Sequence, residues 1–299
     1  MVKRFALVTA ALAAVLVTGA CAAPDGADRD LVDDWVMLGE AKVPEPVGGD
    51  CWTTDLAQLD AVLASPSRVV QMPCDFQHAF ETVHVGHFTG NLADGSTPPA
   101  LEEMTAAYTE CDDAAKSYLG AAWQAGRTHL LIVPPTKAQW AGGARFFRCD
   151  VGALRTEAGY LEPRKTTLKD SLKAGGELLL GCGTQVGVNA DTWDDITPTA
   201  CTAPHDVEFV GAVESKAQTY PADDKSYESA FADRCEQALL NYTGMTPSHF
   251  GKQRSLYFGY WMTAGQQEWK AGNRTARCYA MLDKKKISRS LKGAGNISI

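Results

Sequence analysis

The hydrophobic positions in the first half of the chain change from strand-like to helix-like spacing and back. Residues 68–72 and 81–88 alternate or are β-branched on either side of a Pro-Cys turn, and we expect them to form an antiparallel pair of strands. Apolar residues then recur every three or four positions over 101–118, which predicts an amphipathic helix with Gly120 as its C-terminal cap. Two further strands are predicted, at residues 129–133 and 144–151.

The second half of the chain repeats this order of elements. The predicted elements are a strand at 206–213, a helix at 227–242 and strands at 256–262 and 275–281. We therefore expect an α+β fold of two tandem small domains, each an antiparallel sheet with one main helix. We place the boundary near residue 176, which gives repeats at 48–175 and 176–299.

Individual residues recur at matching spacings, which indicates an internal duplication. The first block is Cys-x3-His-x2-Glu-x-Val, at Cys74, His78 and Glu81 and again at Cys201, His205 and Glu208. The second is a Tyr and a Gly after a Cys, at Tyr118 and Tyr242, and the third is Trp-x2-Gly-x-Arg-x3-Cys, at Trp140, Arg145 and Cys149 and again at Trp269, Arg274 and Cys278. The last block is Ser171-Leu172-Lys173, repeated as Ser290-Leu291-Lys292. Four blocks in one order argue against coincidence.

Eight cysteines follow residue 48, namely Cys51, Cys74, Cys111, Cys149, Cys182, Cys201, Cys235 and Cys278. An even number in an exported chain indicates disulfides, and these domains should be disulfide-bonded. No Cys-x2-Cys is present, which argues against a structural zinc site and a redox pair. If each repeat folds separately, nine pairings are open. We favour the consecutive one: Cys51–Cys74, Cys111–Cys149, Cys182–Cys201 and Cys235–Cys278.

The first 20 residues are typical of a signal peptide, because basic residues precede a short apolar stretch that ends in small side chains. Cys21 follows directly, as in a bacterial lipobox, in which the cysteine is acylated (palmitate-type) and becomes the new N-terminus. The alternative is an ordinary signal peptide, cut near Ala20 or Ala23, with a free thiol. We expect an exported protein, lipid-anchored on the outer face of the cytoplasmic membrane, with residues 21–47 as a flexible tether.

Composition narrows the possible partners. The chain carries 36 acidic and 28 basic residues, a formal net charge of -8, which argues against a nucleic-acid partner. No uncharged apolar run after the signal approaches the roughly 20 residues of a membrane span. We therefore expect membrane attachment only through the lipid.

Together, Gly49-Asp50-Cys51-Trp52, the Cys-x3-His-x2-Glu block and the Trp-x2-Gly-x-Arg-x3-Cys block resemble the septum-formation-related domain of actinobacterial envelope proteins. The resemblance covers residues 47–295 in two copies, although the second opens with Leu180-Gly181-Cys182-Gly183 and lacks the acid and the Trp. It implies a location in the cell envelope and a link to division septa. It implies no reaction and no cofactor.

Two pairs, His78 with Glu81 and His205 with Glu208, are the titratable groups that recur. One interpretation is a general base or half of a metal site. The other, which we favour, is a turn histidine whose ring nitrogens bond nearby groups, because no third ligand recurs in both copies and a catalytic zinc needs about three protein ligands. A site completed by His84 and His87 is confined to the first repeat. We expect no metal and no cofactor.

The Trp and Arg pairs also allow two interpretations. Trp140 with Arg145 and Trp269 with Arg274 could present a surface to a glycan or peptide, or each Trp could fill a small core with the Arg stacked over it, which we favour. A basic end, formed by Lys284, Lys285, Lys286, Arg289 and Lys292, could face anionic lipid or wall polymers or remain solvated.

No nucleophile elbow, Ser-x-x-Lys dyad or His-Glu-x-x-His helix is present. We therefore expect a non-catalytic envelope lipoprotein that binds a protein, glycan or lipid partner near the division site. The alternatives are an extracytoplasmic hydrolase or metal-dependent enzyme at His78 and Glu81, and a purely structural spacer.

Overall fold

Each half of the chain forms a five-stranded antiparallel sheet with one long helix, as shown by the computed structural model, which describes residues 42–188 and 194–299. The α+β prediction is confirmed. The predicted signal peptide, Cys21 and residues 21–41 of the predicted tether lie outside the described residues. No helix within the described ranges combines the length and the apolar character needed to cross a bilayer.

The first sheet has the strand order β2-β1-β3-β5-β4. Its strands are β1 (Cys51–Thr53), β2 (Val70–Met72), β3 (Phe80–His87), β4 (Thr128–Val133) and β5 (Phe146–Ala153). The helices of this half are α1 (Leu59–Ala64), α2 (Asn91–Asp94), α3 (Thr105–Leu119) and α4 (Lys137–Ala141).

The second sheet repeats this topology, with the order β7-β6-β8-β10-β9. Its strands are β6 (Cys182–Val186), β7 (Asp195–Thr199), β8 (Val207–Glu214), β9 (Leu256–Met262) and β10 (Thr275–Leu282). Its helices are α5 (Asp224–Thr243), α6 (Pro247–Phe250) and α7 (Gln266–Ala271). The two sheets span residues 51–153 and 182–282, on either side of the predicted boundary.

The predicted pairing of residues 68–72 with 81–88 is wrong, because β1 lies between them. Cys51 is opposite Met72 of β2 and opposite Glu81 of β3. A strand of three residues is too short to show alternation, so the sequence pattern missed it. The opening strands of the two repeats are equivalent, since Cys182 of β6 is opposite Glu208 of β8 in the same way.

The long helices begin and end at residues suited to those positions. Helix α3 starts at Thr105, after a 3₁₀ turn, rather than near residue 101, and ends at Gly120, whose φ of 88° is left-handed. Helix α5 starts after Asp223, whose carboxylate accepts from Ser226 N–H at 2.8 Å, and ends at Gly244 with φ 74°.

Four disulfides close loops within the repeats: Cys51–Cys74, Cys111–Cys149, Cys182–Cys201 and Cys235–Cys278. This is the consecutive pairing favoured from the sequence. In each repeat one bridge joins the opening strand to the turn that follows the second strand, and the other joins the long helix to the central sheet. The sulfur atoms thus lie where the helix packs on the sheet, and the cysteines of both helix–sheet bridges are fully buried.

The two repeats pack together within a single compact unit, residues 42–299. Arg277 of β10 is 2% exposed, and its guanidinium reaches into the first repeat. It donates to the carbonyls of Gln124, Gly126 and Thr128 at 2.7–3.0 Å and pairs with Glu157 at 2.8 Å. A buried arginine of this kind needs its partners, because an unpaired charge in the interior is strongly destabilising. Arg277 therefore fixes the second sheet against the first repeat.

Candidate functional site

The recurring histidine of the first repeat lies in the turn that leads into β3. His78 is 1% exposed, and its main chain pairs with that of Arg164 in both directions at 2.9 Å. Its ring Nδ1 lies 3.0 Å from the carbonyl of Phe76, and Nε2 lies 2.9 Å from Oε1 of Glu81. Both ring nitrogens are therefore occupied within the fold.

Glu81 is the centre of the surrounding network. It is 2% exposed and accepts from Tyr118 OH at 2.6 Å, from Thr167 Oγ1 at 3.1 Å, and from the main-chain N–H of Leu168 at 2.9 and 3.0 Å. Together with His78, these donors supply both carboxylate oxygens with short contacts. The network ties β3, α3 and the segment after β5 to one buried side chain.

The second repeat builds the same network from its own equivalent segments. His205 contacts the carbonyl of Ala203 at 2.8 Å and Oε1 of Glu208 at 3.0 Å. Glu208 accepts from Tyr242 OH at 2.8 Å. Glu208 also accepts from Ser290 Oγ at 2.8 Å and from the main-chain N–H of Leu291 at 2.7 and 3.0 Å.

The predicted alignment of the closing blocks of the duplication is wrong. Ser290-Leu291-Lys292 is matched by Thr167-Leu168-Lys169, four residues before Ser171-Leu172-Lys173, because Thr167 and Leu168 make the contacts to Glu81. Thr167 Oγ1 also accepts from Lys169 N–H at 3.1 Å, as Ser290 Oγ does from Lys292 N–H. The sequence between 167 and 173 contains two hydroxyl-Leu-Lys triplets, and identity at the hydroxyl position favoured the wrong one.

The contacts of the two networks join segments within the same repeat. In each, one ring nitrogen faces a main-chain carbonyl and the other faces the glutamate. The carboxylate oxygens are held by the donors described above, so a substrate could reach His78 or His205 only if these contacts broke.

The structure brings a third possible metal ligand to each pair, contrary to the sequence prediction that none recurs. Ligand atoms of Cys51, His78 and Glu81 lie within 4.8 Å of one another, as do those of Cys182, His205 and Glu208. Both cysteines are disulfide-bonded, however, and a metal ligand must be a thiolate. The oxidised protein thus lacks the donor set for a metal at these positions.

Both repeated tryptophans belong to the core. Trp140 and Trp269 are each 1% exposed, and each indole N–H donates to a main-chain carbonyl. The Arg145 guanidinium lies 4.0 Å from the centre of the Trp140 ring and donates to carbonyls around it. Arg274 is half-buried, and its Nε has no hydrogen-bond partner among the described residues. Neither indole is available to a glycan or peptide in this conformation.

The remaining candidates lie apart from these networks. His84 contacts Glu110 at 2.5 Å and His87 contacts Glu45 at 2.9 Å, so neither joins His78. Lys284, Lys285 and Lys286 are exposed at the end of β10, where Lys286 lies 3.8 Å from Asp206.

Sequence reasoning missed a polar network found in the first repeat. Thr82 accepts from the Trp52 indole at 2.7 Å and donates to Asp150 at 2.8 Å. Arg148 pairs with Asp150 at 2.7 Å and stacks at 3.5 Å over the Trp52 ring. Burial raises the pKa of Asp150, and the Arg148 charge opposes that rise. The sequence signal for this network is that Arg148 and Arg277 occupy equivalent positions in the two repeats. Arg148 pairs with an acid of its own repeat, whereas Arg277 contacts the other repeat.

Comparison with known proteins identifies a family. The family model described as septum formation matches residues 48–278, which is more than three quarters of the chain. No curated protein and no solved structure matches the chain.

Proposed function

This chain belongs to the septum formation family, and from that premise we propose that it is a non-catalytic binding or scaffolding module of the cell envelope. The observation that carries the proposal is the duplicated His–Glu–Tyr network. In both copies every short contact of the histidine and the glutamate is made within the fold. Two equally saturated and buried copies are what a structural element requires, whereas a catalytic base must reach a substrate.

The location is the second part of the proposal. The four disulfides are compatible with an extracytoplasmic protein, because such bonds persist in oxidising compartments. We propose a lipid anchor at Cys21 that holds the two repeats at the outer face of the cytoplasmic membrane. The test is membrane retention of Cys21→Ala, which should appear in the soluble extracytoplasmic fraction. Unchanged retention would refute the anchor.

Live imaging of the exported chain through a division cycle tests the cellular role. A fluorescent protein that folds outside the cytoplasm is joined to the C-terminus through a flexible linker. Enrichment at the septum supports the proposal and directs crosslinking there to find the division or cell-wall partner. A uniform surface signal at all stages would refute a septal role for this chain.

Substitution of both histidines separates the proposal from the enzyme alternative. In His78→Gln and His205→Gln, a structural role predicts similar falls in thermal stability and in exported amount, since the two networks match. The matched control is His84→Gln, which changes a half-buried histidine that pairs with Glu110 outside the networks. A variant that is exported and stable as wild type but fails to complement a deletion would favour the hydrolase or metal enzyme instead.

A further inference from the structure

The strands at the ends of the two sheets differ in how their outer edges are protected. Strand β2 has only three residues, β7 contains Pro198, and in β4 the carbonyl of Thr128 is occupied by Arg277. Strand β9 has seven residues, with neither a proline nor a charged side chain. Proteins normally protect a long apolar edge strand with proline or charged residues, because an unprotected edge pairs readily with another strand. No strand within residues 42–188 and 194–299 pairs with the outer edge of β9, and this edge is therefore a candidate for pairing with a partner strand.

Hydrogen bonds at the two ends of β9 determine which main-chain groups face outward. Thr263 N–H donates to the Thr275 carbonyl at 3.1 Å, and Asp283 N–H donates to the Ser255 carbonyl at 3.0 Å. The main-chain N–H and C=O groups of the odd-numbered residues of β9 thus face β10, and those of the even-numbered residues face away from it. The residues whose main-chain groups face outward are Leu256, Phe258, Tyr260 and Met262. Within the described ranges, their main-chain groups form no hydrogen bond beyond β10.

A groove of about 1440 Å³ runs along this strand. It is lined by residues 257–265 of the second repeat and by side chains of the first, among them Leu59 and His129. Tyr257 is 38% exposed and Trp261, four residues on, is half-buried. Rings spaced in this way along one face of a strand provide apolar contacts for the alternate side chains of an extended peptide.

Negative charge dominates the groove. Six carboxylates line it, against one arginine, one lysine and one histidine. Asp60, Asp224 and Asp283 are exposed and form no ion pair with another described residue. Glu157 and Glu268 are already paired, with groups on the facing repeat. The unpaired carboxylates favour a cationic ligand.

The tyrosines beside these carboxylates respond to their charge. The pKa of Tyr220 is raised to about 12, by burial first, then by its hydrogen bond with Tyr227 and by the charge of Asp60. Burial also raises the pKa of Tyr260, and nearby carboxylates that include Asp224 add to the rise. The acidic side chains thus raise the pKa of two phenols that line the groove, Tyr220 and Tyr260.

We propose that the outer edge of β9 binds an extended, lysine- or arginine-rich segment of a partner protein, which adds to the second sheet as a sixth strand. Seven residues of β9 span about 23 Å, so a segment of about seven residues fills the edge. The inference rests on the proposed function as a binding module and names the chemistry of its partner.

A second copy of this chain is a less suitable occupant. Pairing of β9 with β9 of another copy would bring two sets of unpaired carboxylates together, and like charges across an interface oppose association. A basic segment instead places its cations beside those carboxylates while its main chain completes the ladder.

The test uses the full chain, purified after export so that its disulfides form. The probe is a fluorescein-labelled eight-residue peptide that alternates lysine with valine or threonine. One control peptide carries glutamate in place of lysine. A second control is the lysine peptide with alternate main-chain nitrogens methylated, which keeps the charge and removes the donors needed for strand pairing. We expect both controls to bind at least tenfold more weakly by fluorescence anisotropy.

Amide hydrogen exchange measured by NMR reports whether a strand is added. The N–H groups of Phe258 and Tyr260 should exchange at least tenfold more slowly with the lysine peptide bound. The N–H of Gly259, which already faces β10, should not change.

Paired substitutions test the role of charge. Asp60→Asn with Asp283→Asn should weaken binding about fivefold at low salt. Asp113→Asn with Asp233→Asn removes the same charge from exposed helix positions outside the groove and should leave binding unchanged.

Three results would overturn the inference. They are equal binding of the methylated peptide, no binding of the lysine peptide, and protection of Phe258 without peptide together with a doubled molecular mass, which would assign the edge to a second copy. Septal imaging separates this failure from that of the proposed function. A septal signal without peptide binding refutes only the peptide, whereas a uniform signal counts against the septal role whatever the peptide does.

Discussion

Removing one hydroxyl from each buried network gives a direct measure of what the networks contribute. In Tyr118→Phe the ring stays, and the 2.6 Å hydrogen bond of the hydroxyl to Glu81 and its 3.1 Å contact with Thr167 Oγ1 are lost. Tyr242→Phe removes the matching 2.8 Å hydrogen bond to Glu208 and the 3.1 Å contact with Ser290 Oγ. A hydrogen bond to a charged group is worth about 1.5–3 kcal/mol. Because phenylalanine fills nearly the same volume, no cavity cost adds to this, and each carboxylate keeps its other donors.

We therefore expect each variant to lower the free energy of unfolding by about 1.5–3 kcal/mol. For a folded unit of this size, about 2 kcal/mol corresponds to a fall of roughly 4–8 °C in melting temperature. Calorimetry and urea unfolding, with the disulfides intact, measure both quantities. The matched control is Tyr160→Phe, which removes the hydroxyl of a tyrosine that is 43% exposed and should change stability by less than about 0.5 kcal/mol.

Two results would refute this reasoning. One is a Tyr118→Phe variant as stable as the control, which would mean that the hydroxyl contributes no more than its contact with water. The other is a large difference between Tyr118→Phe and Tyr242→Phe, which would mean that the two networks are not energetically equivalent despite their matching geometry.

Three further results are expected. Arg277→Met leaves a buried acid and three carbonyls without their donor, so stability should fall by about 3–5 kcal/mol and calorimetry should show the single transition broaden or split; a sharp, unshifted transition would contradict the role of this arginine. The pKa values of Tyr118 and Tyr242 are raised from 10.0 to about 12 by burial and by the neighbouring carboxylates, so their stabilisation is complete below pH 10 and is lost as the pH rises to 12. Across this range the free energy of unfolding should fall less steeply with pH for the double variant Tyr118→Phe with Tyr242→Phe than for wild type. Replacing Cys111 and Cys149 with alanine opens a loop of 38 residues and should cost about 4 kcal/mol in urea unfolding, and an effect under 1 kcal/mol would show that the reduced chain is already restricted.

Much of the fold could be predicted because the chemistry-bearing residues recur with fixed spacing. Cysteine order within each repeat was enough to favour the observed disulfides. The histidine and glutamate are three residues apart and contact each other directly, so their pairing is visible in one short motif. Residues 256–262 were predicted as a strand with the bounds that β9 has.

Contacts between distant segments could not be predicted in this way. Thr167 reaches Glu81 across 86 residues, and any hydroxyl would serve, so the neighbouring Ser171 was an equally good match by sequence. Strand β1 is identified by its ladder and its disulfide rather than by alternation, since three residues show no period. The role of Arg277 depends on carbonyls about 150 residues away, whose main-chain positions carry no sequence signal.

Each of the four disulfides closes a loop inside one repeat, and the contacts of Arg277 between the repeats are not covalent. A mechanical pull on the two ends of residues 42–299 therefore meets two kinds of resistance. The repeats can separate at the interface, but between Cys51 and Cys74, Cys111 and Cys149, and their counterparts, the chain cannot extend. Under tension such a molecule would lengthen by a limited amount and then stop, and it would recover when the tension is released because each repeat keeps its cross-links.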